Sequence, residues 1–153
     1  MNQNDTICIV PCGSQKIWDK NPQNGPAKAR YVYTGSFAGK CREYAEKFYP
    51  GSWCILSAKY GFLFPDDVVP GPYNVSFNNK KSNPISLNEL KTSVSTQKLL
   101  KYNNIIVLGG KNYTKIVKAV FADKNVYNPL SKCKGIGFMM HELNEAIKKE
   151  IKI

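Results

Sequence analysis

Three short apolar runs constrain this chain more than any other feature: Thr6-Ile7-Cys8-Ile9-Val10, Trp53-Cys54-Ile55-Leu56 and Ile105-Ile106-Val107-Leu108. None alternates apolar with polar residues, so none reads as a strand with one wet face. Continuous runs of this length are the pattern of strands buried on both faces, in the middle of a parallel sheet. Segments of helical period separate them. Phe37, Cys41, Tyr44, Ala45 and Phe48 make one apolar face, with Thr34 or Ser36 available as cap and Pro50-Gly51 as stop. Ser86-Leu87-Asn88-Glu89 is a capping box that opens a helix with Leu87, Leu90, Val94 and Leu99 on its stripe. Thr92 to Thr96 is poor in helix formers and invites a break.

Tyr113, Ile116, Val117, Val120 and Phe121 form a third such face, and Met139, Leu143, Ile147 and Ile151 a fourth. Lys148, Lys149 and Lys152 close that last helix, where cations suit its dipole. Val126 to Leu130 reads as a short edge strand. Alternation of strands and amphipathic helices predicts an α/β, three-layer fold with a mostly parallel central sheet flanked by helices. Length predicts a single domain over residues 1–153. Trp18 to Tyr31, rich in Pro, Asn and Gly, reads as an exposed basic loop. Val75 to Pro84 reads as polar surface, and Ser131 to Gly137 as a flexible basic loop.

Several function classes are disfavoured at this point. No apolar run approaches the roughly 20 residues that span a membrane. Met1 to Thr6 lacks the pattern of a leader peptide, so a cytoplasmic setting is expected. The five cysteines, Cys8, Cys12, Cys41, Cys54 and Cys133, show no CxxC spacing and read as buried thiols. Cys12, at a strand end, is the one worth testing for reactivity. With His141 as the sole histidine, neither a metal centre nor a serine triad is expected, and no cofactor is implied. The net charge of +11 attracts polyanions, which makes nucleic acid or a nucleotide the expected partner. A lysine-rich surface that only maintains solubility accounts for the same charge. Oligomeric state has no signature in the sequence.

The candidate site is assembled from strand ends. Pro11-Cys12-Gly13-Ser14-Gln15-Lys16 follows the first run with free backbone N–H groups, a hydroxyl and an ammonium. Gly109-Gly110-Lys111 follows the third run, and Asn112 in place of Ser or Thr separates it from a Walker loop. Tyr33, Gly35 and the helix start beside them are further candidate contacts, although capping alone explains that turn. The second run ends at Ser57-Ala58-Lys59-Tyr60-Gly61, followed by the acid pair Asp66-Asp67 and by Pro72-Tyr73-Asn74. For an N-glycosidic reaction, Asp66 or Asp67 would stabilise a cationic sugar or position water. Ser14, Ser57 and Asn74 would read base edges, Tyr60 and Tyr73 would stack, and Lys16 and Lys59 would hold phosphate. A turn beginning after Pro65 accounts for the acid pair equally well.

PCGSQK, YTGSFAGKCREYAEKF, ILSAKYGFLFPDDVV with PYNVSF, VLGGKNY and PLSKCKGIGFMMHELN together resemble a small bacterial and phage family carrying a domain-of-unknown-function label. The resemblance spans nearly the whole chain, and SAKYGFL with PYNV is its most specific part. That family is similar in turn to YaaA-like proteins, linked to DNA binding and peroxide stress, and to the central domain of archaeosine synthases. The resemblance implies a protein acting on a nucleobase, nucleotide or nucleic acid, an N-glycosidase-like hydrolase of a base-modification or stress pathway. A non-catalytic YaaA-like nucleic-acid-binding protein is the alternative. Two departures bear on this choice: Asn74 stands where relatives carry an acid, and one extra residue lies around Pro70-Gly71. Without that acid, binding without turnover is implied, or a reaction that uses Asp66 or Asp67.

Overall fold

The structure is a computed structural model that describes residues 5–153; residues 1–4, within the segment read for a leader peptide, lie outside the described residues. The chain order is β1 (Thr6–Pro11), α1 (Ile17–Lys20), β2 (Ala27–Lys28), α2 (Ala29–Val32), α3 (Ser36–Phe48), β3 (Trp53–Ser57), β4 (Gly61–Leu63) and β5 (Val68–Val69). It continues as α4 (Leu87–Thr96), β6 (Asn104–Val107), α5 (Lys111–Val120), β7 (Asn125–Tyr127) and α6 (Ile136–Lys149). The main sheet has the order β4-β3-β1-β6-β7. All pairings in it are parallel except β3 with β4.

Both faces of this sheet are covered, which is why its central strands are apolar throughout. Cys8, Val10, Trp53, Ile55 and Ile106 pack in one cluster with Cys41, Tyr44 and Ala45 of α3 and Leu143 of α6. Ile7, Ile9, Cys54, Leu56, Ile105 and Val107 pack in another with Leu90 and Val94 of α4 and Val117 of α5. Burying each such side chain contributes about 1.5–3 kcal/mol before chain entropy is charged against it. From β1 the chain moves to β3 on one side, then crosses back to β6 on the other. The order therefore reverses between β1 and β6, and the crevice beyond their carboxyl ends is a topological switch point.

The capping box forms as expected: Ser86 Oγ accepts from Glu89 N at 3.1 Å, and the Glu89 carboxylate accepts from Ser86 N. The break expected within Thr92 to Thr96 does not occur there: that stretch is helical, and α4 ends only after it, where Lys98 adopts a left-handed φ of 60°. Leu87, however, is exposed. Neither Thr34 nor Ser36 caps α3; Gly35 holds that position without a side-chain hydrogen bond. Ile151 lies beyond α6 and is exposed, so the stripe ends earlier than its periodicity suggests.

The segment from Trp18 to Tyr31 is not a plain exposed loop. Trp18 is buried, its indole N–H donates to Asn24 O at 2.7 Å, and Ala27–Lys28 pairs with Val68–Val69. Pro22, Gly25 and Pro26 do break the helix and residues 19–28 are mostly exposed, but Trp18 before them and Ala29 after them are buried and tie the excursion down. The stretch after β3 also differs from expectation. It turns back at once as the antiparallel edge strand β4, and the left-handed φ of 77° at Gly61 makes that hairpin possible.

Candidate functional site

The switch-point crevice is occupied by a cavity of about 810 Å³. Gly13, Ser14 and Gln15 from the turn after β1 form one side, and Gly110, Lys111, Asn112 and Tyr113 after β6 form another. Gly35 to Ala38 at the start of α3 and Ile136 and Met139 of α6 complete most of the wall. The two turns can approach this closely because their glycines adopt positive φ, 73° at Gly13 and 131° at Gly109. The first turns of α3, α5 and α6 carry no side-chain cap. Such turns present N–H groups and the positive end of the helix dipole. Lys111 adds a full positive charge, and no carboxylate is among the lining residues.

Tyr113 anchors the floor. Its hydroxyl lies 3.1 Å from Cys12 Sγ, and burial raises its pKa, an effect partly offset by the backbone of Gly13 and Cys12. Cys12 itself is buried, so its thiol meets Tyr113 and not solvent. Asn128 braces the second turn: its side-chain N–H donates to Gly109 O at 3.1 Å and to Thr114 Oγ1 at 2.8 Å. Its carbonyl oxygen accepts from Leu130 N at 2.8 Å. On the strap above, Asn78 hydrogen-bonds Asn112, and Phe77 meets Tyr113 edge-on.

Of the residues singled out from sequence, Gly13, Ser14, Gly35 and Gly110 line this cavity, with Gly109 buried directly behind. A second group gathers around Tyr73. Its hydroxyl contacts Ser57 Oγ at 2.9 Å and Tyr33 OH at 2.5 Å. Ser57 Oγ also accepts from the backbone N–H of Lys59 and Tyr60, closing the hairpin turn. Tyr60 packs edge-on against the Tyr73 ring at 5.4 Å. Lys16 Nζ stands 4.5 Å from the centre of that ring and Lys59 Nζ 5.5 Å. Burial drives the Tyr73 pKa up to about 12 and that of Tyr33 higher still, so both phenols stay protonated.

Lys16 joins the two groups, since its ammonium donates to Ser14 O at 3.1 Å. Burial lowers its pKa, with the neighbourhood of Cys12 and Asp19 working in the opposite direction.

The acid pair lies apart from both groups. Asp66 is an exposed surface residue, its side chain 67% accessible, paired with Arg30 at 3.0 Å and Lys28 at 3.7 Å. Asp67 accepts from Phe64 N at 2.8 Å and so caps the turn that begins after Leu63. Neither lines the cavity. Asn74 is exposed next to Tyr73. Sequence reasoning missed Asn128, Asn78 and the floor role of Tyr113. The Asn128-Pro129 step was the available signal, because a turn asparagine commonly bonds its own backbone. Among the described residues, no three His, Cys, Asp or Glu side chains are grouped to hold a metal, and no helix is long and apolar enough to cross a membrane.

The family of unknown function DUF6884 matches residues 7–145, which includes every residue that lines the cavity. The chain is a member of this family. It is also 39% identical over 145 residues to uncharacterized protein YfjM of Bacillus subtilis (strain 168), covering 94% of this chain and 96% of that protein. No solved structure matches the chain.

Proposed function

We propose that this DUF6884 protein binds a nucleotide, free or within a nucleic acid, with its phosphate at the switch-point cavity. The observation that carries the reading is the meeting of two glycine turns and uncapped helix starts on one carboxylate-free cavity. Backbone N–H groups at such starts are suited to phosphate oxygens. A wall containing Phe37, Ile136 and Met139 suits the flat apolar surface of a base. The helices on both faces of the sheet favour a three-layer arrangement, with the ligand edge left open as in other α/β proteins. The charge of +11 and the motif resemblance to YaaA-like proteins and archaeosine synthases support a cytoplasmic protein directed at nucleic acid or its bases.

Within this reading, binding without hydrolysis is better supported than an N-glycosidase that uses Asp66 or Asp67. Both carboxylates already have structural partners away from the cavity. Calorimetric titration with a panel of nucleoside monophosphates tests the binding. Saturable binding, with log affinity falling as log salt rises, is expected; no saturable binding to any member refutes the reading. Base release from the same nucleotides and from DNA tests the alternative. Release that disappears in Asp66→Asn or Asp67→Asn would restore the glycosidase.

A further inference from the structure

The first turn of α6 is a wall with a cavity on each side. Ile136 and Met139 face the switch-point cavity. Lys134, Gly135, Gly137, Phe138 and His141 line a second cavity of about 560 Å³. Helical spacing makes this division: residues 136 and 139 share one face, and residues 138 and 141 the next. Phe138 is 65% exposed and Ile136 59%. One exposed apolar side chain needs no explanation. Here two of them straddle the ridge between two cavities, with the exposed Lys132 and Lys134 alongside.

The mounting is firm even though the sequence there reads as a loose loop. Asn128 is tied to Gly109 and Thr114, and Leu130 behind it is fully buried. Ser131 N and Cys133 N donate back to Asn128 O and Leu130 O at 3.1 and 3.0 Å. The brace that shapes the first cavity therefore also positions the approach to the second.

We propose that this second cavity is a subsite for the adjoining nucleotide of a single-stranded polynucleotide. Its neighbour in the chain occupies the switch-point cavity, so the inference rests on the nucleotide reading above. Phe138 supplies a stacking face for the base, while Lys132 and Lys134 meet the phosphates on either side of it. A duplex keeps its bases stacked on each other, whereas a single strand can offer a base face to an exposed ring. No carboxylate is among the residues lining this cavity, and the chain as a whole is strongly basic. An anionic partner is thus favoured over an apolar peptide.

The test compares oligothymidylate and oligouridylate of about eight nucleotides with the matching monophosphates, on the full chain. Phe138→Ala is expected to weaken oligomer binding about fivefold or more, the usual effect of removing a stacking ring, without changing monophosphate affinity or the thermal midpoint. Lys132→Gln with Lys134→Gln should reduce the log-affinity against log-salt slope by about 1–2. Oligomer affinity that is the same in Phe138→Ala and the natural chain overturns the subsite, and intact monophosphate binding would then leave the first cavity standing. Oligomer binding that depends on Phe138 in a chain that binds no monophosphate refutes the first-cavity reading and, with it, the two-nucleotide arrangement, leaving Phe138 as a stacking contact only.

Discussion

Replacing Asn128 with alanine should unsettle both the fold and the site, and the size of the effect follows from what the side chain touches. Asn128 is buried, and its amide satisfies Gly109 O, Thr114 Oγ1 and Leu130 N at 2.8–3.1 Å. Thr114 is partly exposed and keeps its own bond to Gly110 O, so little is lost there. Gly109 and Leu130 are buried, so bulk water does not reach the groups that the amide leaves behind. Each stranded backbone group costs about 1–3 kcal/mol, giving roughly 2–6 kcal/mol for the pair. That is a large share of the ~5–15 kcal/mol available to a domain of this size. Urea unfolding measures it as a shift in midpoint at constant slope. Hydrogen exchange provides a local check, since the Leu130 amide should lose protection before the β1 amides do. A loss below about 0.5 kcal/mol, with Leu130 still protected, would refute the reasoning that Asn128 braces the Gly109 turn.

Gly61→Ala should destabilise by roughly 2–4 kcal/mol in the same assay, because φ is 77° and a Cβ would meet Ile85 Cδ1 at 3.0 Å and Leu90 Cδ2 at 3.2 Å. A neutral result would mean that the β3–β4 hairpin is built differently. Tyr73→Phe should cost about 1–3 kcal/mol by removing the hydroxyl that links Ser57 with Tyr33; an unchanged midpoint contradicts that linkage. Lys16 has a pKa lowered by burial, so the unfolded chain binds more protons than the folded one and stability rises with pH. Relative to Lys16→Met, the natural chain should therefore gain stability as pH climbs through the units below 10.5. A pH-independent difference would show that the ammonium is well solvated.

The parts of this structure that are readable from sequence are those set by local pattern. Ile7 to Val10 and Ile105 to Leu108 can only be doubly buried strands, and the glycines that follow them mark turns at one sheet edge. Ser86 and Glu89 announce a helix start through bonds spanning three residues. The remainder depends on partners distant in the chain. Asp66 and Asp67 look like a catalytic pair in one dimension. In the fold Asp66 pairs with Arg30, which β2 and α2 bring alongside, and Asp67 accepts from the turn at Phe64. Trp18 ties a largely exposed Pro- and Gly-rich stretch to the core through its buried ring, a fact no window around it reveals. Cys12 reads as a strand-end thiol worth testing for reactivity, and only the fold brings Tyr113, 101 residues away, over it. The Tyr33, Ser57 and Tyr73 hydroxyls likewise meet only after three separate segments are folded together.

The central claim is that the turns after β1 and β6 and the helix starts beside them form one nucleotide-phosphate site. Amide chemical-shift mapping during titration with a nucleoside monophosphate tests this most directly. The account predicts saturable shifts clustered at Gly13, Ser14, Ser36, Phe37, Lys111 and Asn112, with Asp66 and Asp67 unmoved. Saturable shifts centred on the Asp66–Asp67 turn, or no saturable shifts at the cavity amides, would contradict it.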